Sequence, residues 1–118
     1  MTTDWARLWH DLATQDVQAG AEGEMQMVTR WMAVAQYIDA ATDRRPGYPD
    51  PLLDSLLTRL TPEMTVLDIG AGIGRWTVPI ARKVRHVTAL EPSAGMRAVL
   101  QERLASLGMA NVTVAAAP

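Results

Sequence analysis

The sequence predicts an α/β fold with an open sheet of about three parallel strands, preceded by an all-helical segment. Residues 1–49 place their apolar side chains at helical spacing only. A proline-rich connector follows, and from residue 64 strand-like runs alternate with helix-like runs. Strands that alternate with helices are typical of a parallel sheet, in which each helix forms a right-handed crossover between two strands. This alternation therefore predicts a parallel sheet within residues 50–118.

Composition limits the possible functions. The 118 residues suffice for one domain with a modest core, and a net charge of −2 provides no field that attracts nucleic acid or anionic lipid. The absence of cysteine excludes a disulfide scaffold, a thiolate metal site and a cysteine nucleophile, and no other metal site is identified. The charged N-terminus lacks a signal core, and no apolar run approaches the roughly 20 residues that span a bilayer. We therefore predict a cytoplasmic protein without a membrane span.

The N-terminal segment contains two apolar stripes at helical spacing, which we interpret as packing surfaces. The first stripe includes Trp5, Leu8, Trp9 and Leu12, and the second runs from Met25 to Ile38. The connector that follows, DRRPGYPDP at 43–51, is rich in proline, which is typical of a linker between structural units.

Local signals define the elements after the connector. Asp50 is predicted to be the N-cap of a helix that has Pro51 at its first position. Ser93 is predicted to cap a later helix, and Gly108 is well placed to end it. The predicted elements are a helix at 51–60, a strand at 65–69, a helix at 76–84, a strand at 86–90, a helix at 94–107 and a strand at 111–115.

A glycine-rich turn, GAGIG at 70–74, joins the first strand to the next helix. Glycine reaches positive φ and permits close ligand approach, and the amides at the start of the next helix face the same site. The pattern is not the dinucleotide motif G-x-G-x-x-G, because the third glycine comes one residue early and Arg75 follows it. It is not a P-loop either. Taken alone, the turn is equally typical of a tight strand-to-helix connection without a ligand.

Glu91 provides the second signal, because it directly follows the second strand, 17 residues after Gly74. In an α/β sheet an acid at this position lies beside the loop that follows the first strand, where it accepts hydrogen bonds from ribose hydroxyls. The two oxygens of a carboxylate match the two hydroxyls of a vicinal diol. The structural alternatives are a solvated strand end or a cap of the following helix.

VLDIGAGIG followed by VTALEPSAGM resembles the first two motifs of class I S-adenosylmethionine-dependent methyltransferases, over roughly residues 50–115. The resemblance implies the N-terminal half of a Rossmann-like methyltransferase sheet, preceded by a lid-like helical segment. It implies S-adenosylmethionine as cofactor and S-adenosylhomocysteine as product. The cofactor-binding residues that it implies are Asp68, Gly70, Ala71, Gly72, Gly74, Glu91, Pro92, Ser93, Met96 and Tyr48.

The resemblance also assigns roles to these residues. Glu91 is expected to hold the ribose, and the residues after it, Pro92 and Ser93 with Met96, to pack against the adenine. Tyr48 in the connector is expected to reach the ligand. Asp68 is expected near the ammonium group of the ligand, with capping of the turn amides as the structural alternative.

The family's larger sheet implies that this chain is a truncated domain and catalytically incomplete. No general base stands near the motifs, so the catalytic residues are unknown; His10 and His86 are interpreted as structural or exposed. The TVLDI strand is then expected to form an apolar, unpaired sheet edge, which predicts self-association by strand pairing or exchange of the N-terminal helices. The low net charge favours a small-molecule methyl acceptor over nucleic acid.

Two other functions are alternatives, and the missing half of the family's sheet favours the first of them for the chain as it stands. A binding or assembly module would keep the motifs without catalysis. A fragment of an NAD-dependent oxidoreductase would carry a similar fold, but the early Gly74 and the following Arg75 count against it.

Overall fold

The computed structural model describes residues 2–4, 7–8, 23, 25–26, 29 and 49–116. The predicted order of elements from residue 50 onward is confirmed. The elements are α1 (Pro51–Leu57), β1 (Thr65–Ile69), α2 (Thr77–Ala81), β2 (His86–Leu90), α3 (Ala94–Ser106) and β3 (Val112–Ala115). The third strand starts one residue later than predicted, whereas the first two have the predicted bounds.

The strands form a parallel sheet in the order β1-β2-β3, which confirms the predicted strand direction. The β1–β2 register pairs Thr65 with His86 and Ile69 with Leu90, so both strands end at the same level. Within the described part of the chain, β1 therefore lies at one edge of the sheet, with its carboxyl end beside that of β2.

The predicted caps of α1 and α3 are confirmed. The Asp50 side chain accepts a hydrogen bond from the Leu53 amide at 3.1 Å, and Pro51 occupies the first helical position. The Ser93 hydroxyl accepts one from the Met96 amide at 3.2 Å. Gly108 follows the end of α3 with a φ of 64°, a conformation that glycine adopts with little strain.

All three helices are shorter than predicted, α3 by one residue because it ends at Ser106. α1 ends at Leu57 instead of residue 60, where the Thr58 hydroxyl bonds to the Ser55 carbonyl at 2.8 Å and competes with the helical pattern. α2 covers Thr77–Ala81 instead of 76–84. It ends early because the Arg85 amide already donates to the Met64 carbonyl at 2.9 Å, which aligns the chain for β2.

The core lies on one face of the sheet. Val87 and Ala89 of β2 are fully buried and face the helices. Val87 belongs to a cluster with Leu53 of α1 and Ile80 of α2, and Ala89 to a second cluster with residues of α2 and α3. On the opposite face, Leu67 and Ile69 are 56% and 75% exposed, because side chains alternate along a strand.

Most of the predicted N-terminal helical segment, and with it the boundary at residue 49, lies outside the described residues. Leu8 and Met25 are described; both are helical, and their side chains are 39% and 65% exposed. The predicted packing of the two stripes stays a prediction, because most of their residues lie outside the described part of the chain. No helix among the described residues is long and apolar enough to cross a bilayer.

Candidate functional site

The glycine-rich loop begins at the point where β1 and β2 end together. The amides of Gly70 and Ala71 both donate to the Leu90 carbonyl, at 2.9 and 3.0 Å. The loop then closes on itself through the Gly74 amide, which donates to the Ala71 carbonyl at 2.9 Å. The main chain thus folds across the end of β2, directly beside Glu91.

The three glycines of the loop adopt the predicted positive φ, with values of 78° at Gly70, 57° at Gly72 and 89° at Gly74. Their surroundings differ. A Cβ on Gly74 would lie 2.5 Å from Cδ1 of Leu100, a fully buried side chain of α3, whereas one on Gly70 would meet nothing within 4 Å. Gly74 therefore permits the close packing of loop and helix, and Gly70 leaves an open approach to the main chain.

The Glu91 carboxylate connects the loop to the start of α3. Its Oε2 accepts a hydrogen bond from the Gly72 amide at 2.8 Å, and its Oε1 accepts one from the Ser93 amide at 2.9 Å. Glu91 is 8% exposed, and its own amide donates to the Ala115 carbonyl of β3 at 3.0 Å. Because a carboxylate has about four acceptor positions, acceptor capacity remains for the hydroxyls of a ligand. Glu91 therefore also holds Ser93, the residue that precedes α3.

Asp68 does not cap the amides of the turn, which was the predicted structural alternative. The Gly70 and Ala71 amides bond to Leu90 instead, and the Gly72 amide bonds to Glu91. Asp68 Oδ2 accepts a hydrogen bond of 2.6 Å from the hydroxyl of Thr77, the first residue of α2. Sequence reasoning missed Thr77, because nothing in the local pattern shows that this hydroxyl turns back toward β1.

Three further side chains hold the loop and the turn after β2, and sequence reasoning missed all of these contacts. Arg103 of α3 donates to the Ile73 carbonyl at 3.2 Å. Arg97 donates to the carbonyls of Glu91 and Pro92, both at 2.7 Å. The third side chain is that of Asp50, which accepts a hydrogen bond from Arg75. Each contact joins parts of the loop or turn to a neighbouring helix, so the site is shaped by tertiary contacts from several elements.

Asp50 links the start of α1 to the end of the loop. Its Oδ2 accepts hydrogen bonds from Arg75 at 2.7 Å and from the indole nitrogen of Trp76 at 3.1 Å, while Oδ1 caps α1. The Arg75 side chain is 52% exposed, so this ion pair contributes only about 0–1 kcal/mol in water. The main effect of this ion pair is to attach Asp50, near the end of the connector, to the residue that follows the glycine-rich loop.

The structure brings most of the predicted cofactor residues together at the carboxyl ends of β1 and β2. The loop, Glu91, Pro92 and Ser93 are contiguous. Met96 is 5% exposed and packs below Gly72 in a cluster with Ile73, so its predicted adenine contact stays a prediction. Tyr48 lies outside the described residues.

His86 is not part of this arrangement. His86, at the amino end of β2, lies 2.9 Å from the Thr113 hydroxyl through its Nε2, at the end of the sheet away from the loop. His10 lies outside the described residues. Among the residues that the structure describes, no group of three or more His, Cys, Asp or Glu forms a metal-binding cluster.

Comparison with known protein families identifies what residues 66–118 are similar to. Residues 66–118 match the family model described as "Methyltransferase domain". The match starts in β1 and includes the loop and Glu91. Over these residues the chain is similar to class I S-adenosylmethionine-dependent methyltransferases. The family resemblance inferred from the two motifs is confirmed, for a partial domain.

Curated methyltransferases match the same region. A protein-L-isoaspartate O-methyltransferase of Synechococcus sp. is 45% identical over 56 residues, which are 48% of this chain and 23% of that protein. A probable ribosomal RNA small subunit methyltransferase A of Methanosarcina acetivorans is 39% identical over 57 residues, 48% of this chain and 20% of that protein. The chain thus spans less than a quarter of the length of either methyltransferase.

Solved methyltransferase structures support the fold. M. jannaschii TYW2, solved in complex with AdoMet, is 25% identical and superimposes with a TM-score of 0.52. The similarity covers 57% of this chain and 32% of that one. The predicted partial Rossmann-like methyltransferase sheet is confirmed.

The packing of the glycine-rich loop generates a stability prediction. Replacing Gly74 by Ala forces a positive φ on alanine and places a methyl group against buried Leu100, so we expect a loss of about 2–4 kcal/mol in the free energy of unfolding. Gly70→Ala is the matched control, since it adds the φ strain alone and is expected to cost about 1 kcal/mol. Urea unfolding followed by circular dichroism measures both. Equal losses would contradict the assigned Leu100 contact.

Proposed function

We propose that residues 50–118 form the S-adenosylmethionine-binding portion of a methyltransferase, and that residues 1–49 form a helical, lid-like segment that precedes it in the sequence. One observation carries the proposal: Glu91, buried at the end of β2, bonds through Oε2 to the Gly72 amide at 2.8 Å. This bond brings the two family motifs into one site. The family match over residues 66–118 and the AdoMet complex of TYW2 support the same cofactor.

The chemistry of the site fits this cofactor. S-adenosylmethionine contains a ribose, an adenine and an amino acid tail, but no pyrophosphate, and when bound it supplies a methyl group. In our proposal the open main chain at Gly70 lies along the tail, and Glu91 uses its remaining acceptor capacity for the ribose hydroxyls. Asp68 receives the ammonium group, and Pro92 and Ser93 border the adenine.

The acceptor side of the reaction is outside the proposal. Methyl transfer depends on placing the acceptor in line with the methyl group, and no described residue is assigned to that task. The relatives are named for protein and ribosomal RNA substrates, so the comparisons do not support the small-molecule acceptor predicted from net charge. The net charge of a whole chain is a poor guide, because binding depends on local patches.

The alternative functions are not favoured. The matching family and the named relatives are methyltransferases, and neither an oxidoreductase nor an assembly module is needed to explain the site. The cytoplasmic location predicted from the sequence stays a prediction.

We also propose that the chain self-associates through β1. Leu67 and Ile69 expose 56% and 75% of their surface on the sheet face opposite the core. Within the described part of the chain the β1 edge has no partner strand, and unpaired apolar edges are prone to pair with another chain. A second copy of β1 supplies the matching apolar edge.

The cofactor proposal predicts that the chain binds S-adenosylhomocysteine in titration calorimetry and does not bind NAD. Glu91→Ala is expected to weaken the binding of S-adenosylhomocysteine by about 1–3 kcal/mol, through loss of a charged acceptor. Glu102→Ala, which removes an exposed carboxylate of α3, is the control and is expected to leave affinity unchanged.

A 2′-deoxy analogue of the ligand separates the two roles of Glu91. If Glu91 binds the ribose, Glu91→Ala costs less affinity for the analogue than for S-adenosylhomocysteine. Equal losses would mean that Glu91 acts only by bracing the loop. Binding of NAD alone would overturn the cofactor assignment.

Self-association predicts a sedimentation coefficient above that of a monomer, rising with concentration. Ile69→Lys places a charge on the exposed apolar side chain of β1 and is expected to shift the distribution toward monomer. Leu52→Lys, on a 68% exposed leucine of α1, is the matched control and is expected to have no effect. A monodisperse wild-type monomer with an ordered β1 would contradict the proposal.

A further inference from the structure

Asp68 and Thr77 form a hydrogen-bonded pair beside the loop. Asp68 lies in β1, one residue before the end of the strand, and is half-buried. Thr77 begins α2 and is completely buried, and its Oγ1 donates to Asp68 Oδ2 at 2.6 Å. The bond therefore joins the carboxylate of a partly accessible residue to a completely buried side chain.

Among the residues that the structure describes, no cationic side chain pairs with the carboxylate of Asp68. Within this described part of the chain, Asp68 Oδ1 has no hydrogen-bond partner. A hydroxyl donor orients a carboxylate without neutralising it, whereas a guanidinium or ammonium partner would do both. An oriented, still charged carboxylate suits a cationic group supplied by a ligand.

We propose that Thr77 is a positioning residue for cofactor binding. Its hydroxyl holds Asp68 so that the free oxygen receives the ammonium group of the amino acid tail of S-adenosylmethionine. This inference rests on the proposed function and extends it to a residue that acts only through Asp68. If Thr77 had a purely structural role, the bond to Asp68 would only satisfy its buried hydroxyl. Removing the hydroxyl would then lower stability without weakening some ligands more than others.

Two substitutions separate the contribution of the Thr77 hydroxyl from that of its methyl group. Thr77→Val keeps its shape and removes the hydroxyl. Thr77→Ser keeps the hydroxyl and removes the methyl group. Three ligands separate the parts of the cofactor: S-adenosylhomocysteine, decarboxylated S-adenosylmethionine, which keeps the amino group, and 5′-methylthioadenosine, which lacks the amino acid tail. Calorimetric affinities of the full chain for all three are measured, with thermal unfolding in the absence of ligand.

We expect Thr77→Val to weaken S-adenosylhomocysteine and decarboxylated S-adenosylmethionine about tenfold, and 5′-methylthioadenosine less than about twofold. Thr77→Ser is expected to bind all three within about threefold of the wild type. Equal weakening of all three ligands by Thr77→Val would overturn the inference, and so would no weakening at all.

Asp68→Asn provides a second test that does not alter the buried Thr77. It removes the charge of the carboxylate. We expect it to weaken selectively the binding of the two ligands whose tail carries an amino group, as Thr77→Val does. If Asp68→Asn weakens none of them selectively, the inference is wrong even if Thr77→Val fails to fold. If the wild-type chain binds none of the three ligands, the proposed function itself fails, and the inference fails with it.

Discussion

The hydrogen bond between the Glu91 carboxylate and the Gly72 amide determines how the site is built. It spans 19 positions of sequence, measures 2.8 Å, and involves a carboxylate that is almost completely buried. A buried charge needs hydrogen bonds to compensate for lost hydration, and here the Gly72 and Ser93 amides provide them. The glycine loop and the turn after β2 therefore hold each other in place. The same group that braces the loop borders the space that we assign to the ribose.

The rest of the fold supports this pair of turns. The parallel register ends β1 and β2 at one level, and α3 packs against the loop at Gly74 so closely that a side chain there would strike Leu100. Arg103 and Asp50 attach the loop to α3 and α1. Such a braced main chain is suited to a ligand that binds by close approach, because little ordering remains when the ligand enters.

Much of this could be read from the sequence, because it depends on local signals. The bounds of β1 and β2, the Asp50 and Ser93 caps and the positive φ of the glycines follow from residue type and spacing. Contacts between elements could not be read in the same way. Thr77 reaches Asp68 across nine positions and Arg103 reaches Ile73 across 30, through helix placement that no local pattern encodes. The early end of α2 has the same cause, since it is set by the start of β2.

The central claim is that the loop and Glu91 form one cofactor site, and amide chemical shifts test it most directly. In a titration of the ¹⁵N-labelled chain with S-adenosylhomocysteine, the account predicts saturable shifts at Gly70, Gly72, Gly74, Glu91 and Ser93. The chemical shifts of amides at the amino end of the sheet, such as that of His86, are expected to remain unchanged. Shifts that leave the three glycines unchanged, or no shifts at all, would contradict the account.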